Sequence, residues 1–174
     1  MKKNIPNIIT STNLLLGWTS IYFAYLAEIE LAIGAILLAS VLDYFDGFAA
    51  RKLNVQSALG TQLDSFADLV TFGIAPAVIV YFVSSLTLFF VEKNIDFWLF
   101  MILGIIPLLG AIRLARFNTL KEESSFFIGL PIPAFALITV SLIWTYLEYS
   151  SFLVNITNYQ VFLPLTILLI SFLM

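Results

Sequence analysis

The chain contains no cysteine and no histidine among its 174 residues. Without thiols it has no disulfides, no thiolate zinc sites and no cysteine nucleophile. Without imidazole it lacks the usual neutral-pH base and the commonest transition-metal ligand. Any acid–base or metal chemistry therefore falls to carboxylates. Charge is scarce as well: 11% of residues are Asp, Glu, Lys or Arg, against about 25% in an ordinary soluble domain. Hydrophobic residues make up 61% and the mean hydropathy is +1.02, which argues against a water-soluble globule. No basic patch of the kind that binds nucleic acid is present.

The few charges divide the chain into mainly apolar stretches near residues 8–27, 31–51, 61–89, 96–117, 130–148 and 157–174. A membrane-spanning helix takes about 20 such residues. The expectation is an all-α integral membrane protein of six transmembrane helices, with residues 1–174 forming a single membrane domain. The last stretch is short for a crossing and ends at Met174 without a polar flank, which leaves open whether it is cut short there. Lys2 and Lys3 ahead of the first stretch imitate a secretory signal. However, Thr10, Ser11, Thr12 and Asn13 interrupt its apolar centre and no clear cleavage site follows, so a retained helix is expected. With the N-terminus inside, Lys2, Lys3, Arg51, Lys52, Arg113, Arg116 and Lys121 are all cytoplasmic and only Lys93 is outside, as the positive-inside rule requires.

Against this background the stretch 42–70, LDYFDGFAARKLNVQSALGTQLDSFADLV, stands out. Asp43 follows a run without charge that begins at Leu31, roughly 18 Å of helix, and so sits within the bilayer core near its cytoplasmic side. Asp46 is one turn further on, and Asp64 and Asp68 are one turn apart on the next helix. Residues three or four apart share a helix face, and the short connection 52–59 makes the two helices antiparallel neighbours. Both pairs then lie at similar depth and converge if their faces turn inward. Four intramembrane carboxylates cost on the order of 10 kcal/mol before repulsion is added. Arg51 alone cannot neutralise them, whereas two divalent cations can. Oxygen-only ligands suit Mg²⁺ or Mn²⁺, with Ca²⁺ as a further occupant. Gly47, Ala50 and Gly60 either let a ligand approach backbone or serve close helix packing; the residues alone weigh the two equally.

Residues 43–68 read D-x-x-D-G-x-x-A-R, eight residues, then G-x-x-x-D-x-x-x-D, filled by Asp43, Asp46, Gly47, Ala50, Arg51, Gly60, Asp64 and Asp68. This pattern resembles the signature of the CDP-alcohol phosphatidyltransferases at every fixed position. The segments PNIITSTNLLLG (6–17), DSFADLVTFGIAPA (64–77), RLARFN (113–118) and FIGLPIPA (127–134) are similar to the bacterial and archaeal branch that uses serine.

The resemblance implies transfer of a phosphatidyl group from CDP-diacylglycerol to the hydroxyl of L-serine, giving phosphatidylserine and CMP. It implies that Asp43, Asp46, Asp64 and Asp68 ligate two metals and that Asp68 is also the general base. Gly47, Ala50 and Gly60 would line the nucleotide pocket, with Arg51 near the phosphates and Asn7 and Thr10 contacting the nucleotide from the first helix. Arg113 and Arg116 share a face and are expected to supply a ligand for the serine carboxylate or the lipid phosphate, or else to anchor the helix end at lipid phosphates. Asn118, Ser65 and Thr71 are candidates for orienting serine, and Gly129, Pro131 and Pro133 for shaping the loop into the fifth span. The family further implies a homodimer in the cytoplasmic (inner) membrane, with its site facing the cytoplasm.

Other acceptors, such as glycerol 3-phosphate or inositol phosphate, and an ether-lipid donor fit the same aspartate pattern. An intramembrane prenyltransferase fits less well, because those enzymes look longer and carry their acidic motifs on separate, distant helices; a cation channel or transporter fits less well, because it has no reason to repeat this spacing.

The absence of native cysteine gives a direct check of orientation. A Lys93→Cys protein is expected to react with a membrane-impermeant maleimide in intact cells. A Lys52→Cys protein is expected to react only after the membrane is opened; the reverse pattern would invert the topology.

Overall fold

The computed structural model describes residues 5–53, 58–87, 93–120, 129–149 and 159–174. Every regular element among the described residues is helical: α1 (Ile5–Tyr25), α2 (Ile29–Leu53), α3 (Ala58–Asp68), α4 (Ala75–Thr87), α5 (Lys93–Leu103), α6 (Ile105–Leu120), α7 (Ile132–Tyr149) and α8 (Tyr159–Ser171). A π-helical segment, Leu69–Ile74, carries α3 directly into α4, and α5 passes into α6 across Gly104. The helices thus form rods that fall on the apolar stretches of the sequence. Two of them, Leu59–Ser85 and Phe97–Thr119, are long and apolar enough to cross a bilayer.

Apolar side chains lie on both sides of the rods. Ile36, Phe72, Ile79, Ile106, Phe135 and Ile167 are fully buried, while Trp18, Tyr22, Leu38, Phe100, Trp144 and Leu169 are exposed. A helix apolar all round belongs in a large core or in lipid. Among the described residues the apolar surface turned outward is extensive, which fits a membrane protein.

Helices α1 and α2 form a tight antiparallel hairpin. Ala27 turns the chain in the left-handed region at φ 63°, with Glu28 N–H donating to the Phe23 carbonyl at 2.9 Å. That is the bond pattern of a Schellman cap. Buried Ala24, Ala32, Ala35 and Ala39 line the two helices, and small residues of this kind allow close approach. The buried Ser20 hydroxyl bridges to the Ala32 carbonyl at 2.8 Å.

The π segment is held from two sides. A Cβ built on Gly17 of α1 would fall 2.7 Å from the Thr71 Cα, and the Thr71 hydroxyl donates to the Asn13 carbonyl at 3.1 Å. On the other side Gly73 faces Pro107 of α6, and Gly110 faces Leu69. Pro76 follows the segment after one intervening residue, Ala75. It has no N–H to donate and its ring crowds the carbonyl four residues back; the wide turn before it makes room. Gly129 adopts φ 95°, and Leu130 N–H donates to the Leu173 carbonyl at 2.8 Å, which fixes the entry to α7.

Two helical glycines therefore respond to alanine with opposite signs. Propensity alone favours Ala by roughly 1 kcal/mol, but overpacking costs about 1–3 kcal/mol. Gly17→Ala is expected to lower the melting temperature in detergent. Gly34→Ala, whose new methyl would meet nothing within 4 Å, is expected to hold or raise it. Equal effects of the two substitutions would refute the close contact at Thr71.

Candidate metal centre and acceptor site

The carboxylates separated in sequence meet in space. Asp43 on α2 and Asp64 and Asp68 on α3 each place an oxygen within 4.8 Å of the other two, and all three are half-buried. Helix α1 packs against both α2 and α3 and so brings their acidic residues together. Asp46 lies on α2 three residues after Asp43, but its side chain lies outside the described residues, as do those of Ala50 and Arg51. Gly47 follows Asp43 by one turn on α2, and Gly60 precedes Asp64 by one turn on α3; both are half-buried.

Like charges this close repel by roughly 3 kcal/mol per pair at an effective dielectric of about 20. The donors are all oxygens, with no nitrogen or sulfur. A cluster of that chemistry fits hard divalent cations, and bound cations remove the repulsion.

Helix α6 delivers a second set of polar groups. It runs antiparallel to α3 and its π extension, with Pro107 at Gly73 and Gly110 at Leu69. Continuing that register brings Arg113 beside Asp68, where the two charges interact. It also brings Asn118 to Ser65, and the Asn118 Nδ2 donates to the Ser65 Oγ at 2.9 Å. The Ser65 hydroxyl in turn donates to the Thr61 carbonyl at 3.1 Å. Arg113 is half-buried, while Arg116 is exposed. The two arginines, three residues apart, are thus separated: one turns to the carboxylates and the other to the surface.

Helix α1 closes the remaining side. Asn7 is half-buried, and the buried Thr10 donates to the Pro6 carbonyl at 3.0 Å. Thr71 is not brought into the group. It is fully buried, and its hydroxyl is taken up by the Asn13 carbonyl, so its place is in helix packing. Asn13 was not singled out as a site residue from sequence. The available signal was the spacing of Asn7, Thr10, Asn13 and Gly17, which puts polar or small residues on one stripe of α1.

Fold and site together define an all-helical membrane protein with an acidic centre suited to hard cations. The chain matches the family model described as CDP-alcohol phosphatidyltransferase over residues 3–172, and it belongs to that family. It is 40% identical over 147 residues to the CDP-diacylglycerol–serine O-phosphatidyltransferase of Bacillus subtilis, covering 82% of this chain and 76% of that protein. The enzymes of the same name from Helicobacter pylori and Methanocaldococcus jannaschii are 37% and 38% identical over 137 residues. There the match covers 78% of this chain and 55% and 58% of the relatives, so the chain spans little more than half of their length.

The repulsion sets a sign that can be tested. In EDTA, Asp64→Asn is expected to be more stable to heat than the unaltered protein, because a repelling charge is gone. At Mn²⁺ concentrations near 100 times the dissociation constant, the unaltered protein is expected to gain about 2.7 kcal/mol and the variant little. Equal stabilisation of both by Mn²⁺ would rule out the cluster as the binding site.

Proposed function

We propose that this chain transfers the phosphatidyl group of CDP-diacylglycerol to L-serine. The observation that carries the reading is the convergence of Asp43, Asp64 and Asp68 with Arg113 at the Asp68 turn, in a member of a family that acts on CDP-linked lipids. The serine assignment rests on the relatives' shared name.

In this reading the serine Oγ forms a bond to the phosphorus that bears the lipid, the bond from that phosphorus to the CMP oxygen breaks, and CMP leaves. Asp43, Asp46, Asp64 and Asp68 would hold two divalent cations, Mg²⁺ or Mn²⁺, which when bound would neutralise charge on the pyrophosphate and the departing phosphate. Phosphoryl transfer asks the protein mainly for positioning and electrostatic stabilisation. Asp68 takes the proton of the serine hydroxyl. Arg113 pairs with the serine carboxylate, for which a guanidinium fork is well shaped. The Asn118–Ser65 pair fixes the floor on the α6 side. Gly47, Ala50 and Gly60 let the nucleotide approach backbone, with Arg51 near its phosphates and Asn7 and Thr10 on the α1 side.

The same reading takes the chain as one membrane domain crossing six times and working as a homodimer, with its N-terminus and site at the cytoplasmic face of the inner membrane. Clustering of basic residues at one end of the rods supports that orientation. The acyl chains of the donor then stay in the bilayer while its headgroup reaches the aspartates.

The test is CMP release in detergent from CDP-diacylglycerol with Mg²⁺ or Mn²⁺, offering L-serine, glycerol 3-phosphate or inositol phosphate as acceptor. Release with serine that EDTA abolishes is expected. Asp68→Asn is expected to lower kcat by about 10²–10⁴-fold, the usual worth of a positioned general base. Arg113→Ala is expected to raise KM for serine about tenfold or more, the range for a lost charged hydrogen bond. Arg116→Ala is expected to stay near the unaltered enzyme. Release with a different acceptor would keep the chemistry and end the serine assignment.

A further inference from the structure

Two side chains beside the Asp68 turn carry buried polar atoms that no protein group satisfies. Asn13 is 0% exposed, and neither its Oδ1 nor its Nδ2 has a hydrogen-bond partner. The Nε of Arg113 is likewise shielded and unpartnered. Folded proteins pair nearly all such groups, and an orphan in a native interior calls for a specific cause. Helix packing alone does not supply one here. A leucine at position 13 would fill nearly the same volume with no polar atoms to satisfy.

The helix register places Asn13. Helix α1 runs antiparallel to α2, and α2 runs antiparallel to α3, so α1 and α3 are parallel. Gly17 abuts Thr71, and Asn13 precedes Gly17 by one turn on the same face. One turn back from Thr71 on the parallel neighbour is the turn of Ala67 and Asp68. Asn13 therefore stands level with Asp68 on the α1 side, and Arg113 reaches Asp68 from the α6 side. The two sets of orphaned atoms flank the carboxylate assigned to the acceptor hydroxyl.

We propose that Asn13 is a specificity-determining residue that binds the acceptor as a zwitterion. Its Oδ1 accepts a hydrogen bond from the acceptor's ammonium group. Its Nδ2 donates to the acceptor's carboxylate, which also meets Arg113. An amide with both ends unpaired presents one acceptor and one donor side by side, and a hydroxy amino acid presents the complementary pair. Glycerol 3-phosphate and inositol phosphate have no ammonium group, so with either of them Oδ1 would stay buried and unpaired. A site built around a buried polar group rejects ligands that leave it unpaired far more strongly than an apolar pocket rejects a misfit. The inference rests on the serine reading above and adds the residue that selects an amino-acid acceptor.

The experiment compares the unaltered enzyme with Asn13→Leu and Asn13→Ala in the CMP-release assay. It reads KM for L-serine, KM for CDP-diacylglycerol, and the inhibition constant of 3-hydroxypropanoate, which is serine without its amino group. In at least one folded variant the KM for serine is expected to rise about tenfold or more, a typical loss for an unpaired buried group, with the KM for CDP-diacylglycerol within about twofold. The preference for serine over 3-hydroxypropanoate is expected to narrow by a similar factor, which a change in packing would not produce. An unchanged serine KM in both folded variants overturns the proposal. So does a parallel rise in both substrates' KM, or failure of both variants to fold, since each assigns Asn13 to structure. Turnover of a non-amino-acid acceptor by the unaltered enzyme would instead sink the serine reading before any variant is made.

Discussion

Mutual repulsion among three carboxylates held within 4.8 Å of one another is the constraint on which the rest of the molecule depends. Half-buried among helices, such a cluster opposes folding both by desolvation and by like charge. A sequence that keeps it must gain stability elsewhere, and bound cations would relieve the repulsion. The gain comes from helix contacts that carry no charge: the alanine-lined α1–α2 hairpin, the Gly17–Thr71 approach, and the glycine contacts between the π segment and α6. None of these touches the aspartates, yet each fixes the register that brings the aspartates together.

The same registers explain which polar residues join the site. Arg113 and Arg116 have equal chemistry and lie three residues apart, but α6 rolls one inward and the other out. Asn118 reaches Ser65 because the contacts at Pro107 and Gly110 set the antiparallel pairing two turns earlier. The pairing of site residues is thus set at a distance, by small residues that let backbones approach.

That division accounts for what the sequence alone disclosed. The all-helical class followed from hydropathy and the scarcity of charge. The aspartate cluster followed from a three- or four-residue spacing on two adjacent helices, a purely local pattern that helical geometry converts into a shared face. Thr71 shows the limit. From sequence it reads as a polar group near Asp68, open to substrate, but the wide turn after Asp68 carries it into α1, where a backbone carbonyl takes its hydroxyl. Asn13 is the opposite case. It read only as an interruption of an apolar run, because its significance depends on which helix lies parallel to α1 and at what height. The π turn itself has no sharp sequence signal beyond Gly73 and Pro76, residues equally at home in a simple kink.

The π segment also bears on how Asp68 is held. Asp68 is the last residue of α3, and the turn that follows makes wider hydrogen-bonded rings than an α-helix, as in the bond from Ala75 N–H to the Val70 carbonyl. A continuous α-helix would keep the faces before and after Asp68 in line. The wide turn breaks that alignment, so the acidic face of α3 can address α2 while Thr71 and Gly73 address α1 and α6. The clamp that fixes Asp68 is then built from residues after it, on faces that do not compete with its carboxylate for space. Wide turns of this kind carry a cost in helix regularity and recur at functional sites for that reason. Here the cost is offset by tight packing on two sides, and the contacts of Thr71 and Gly73 anchor the turn that follows Asp68.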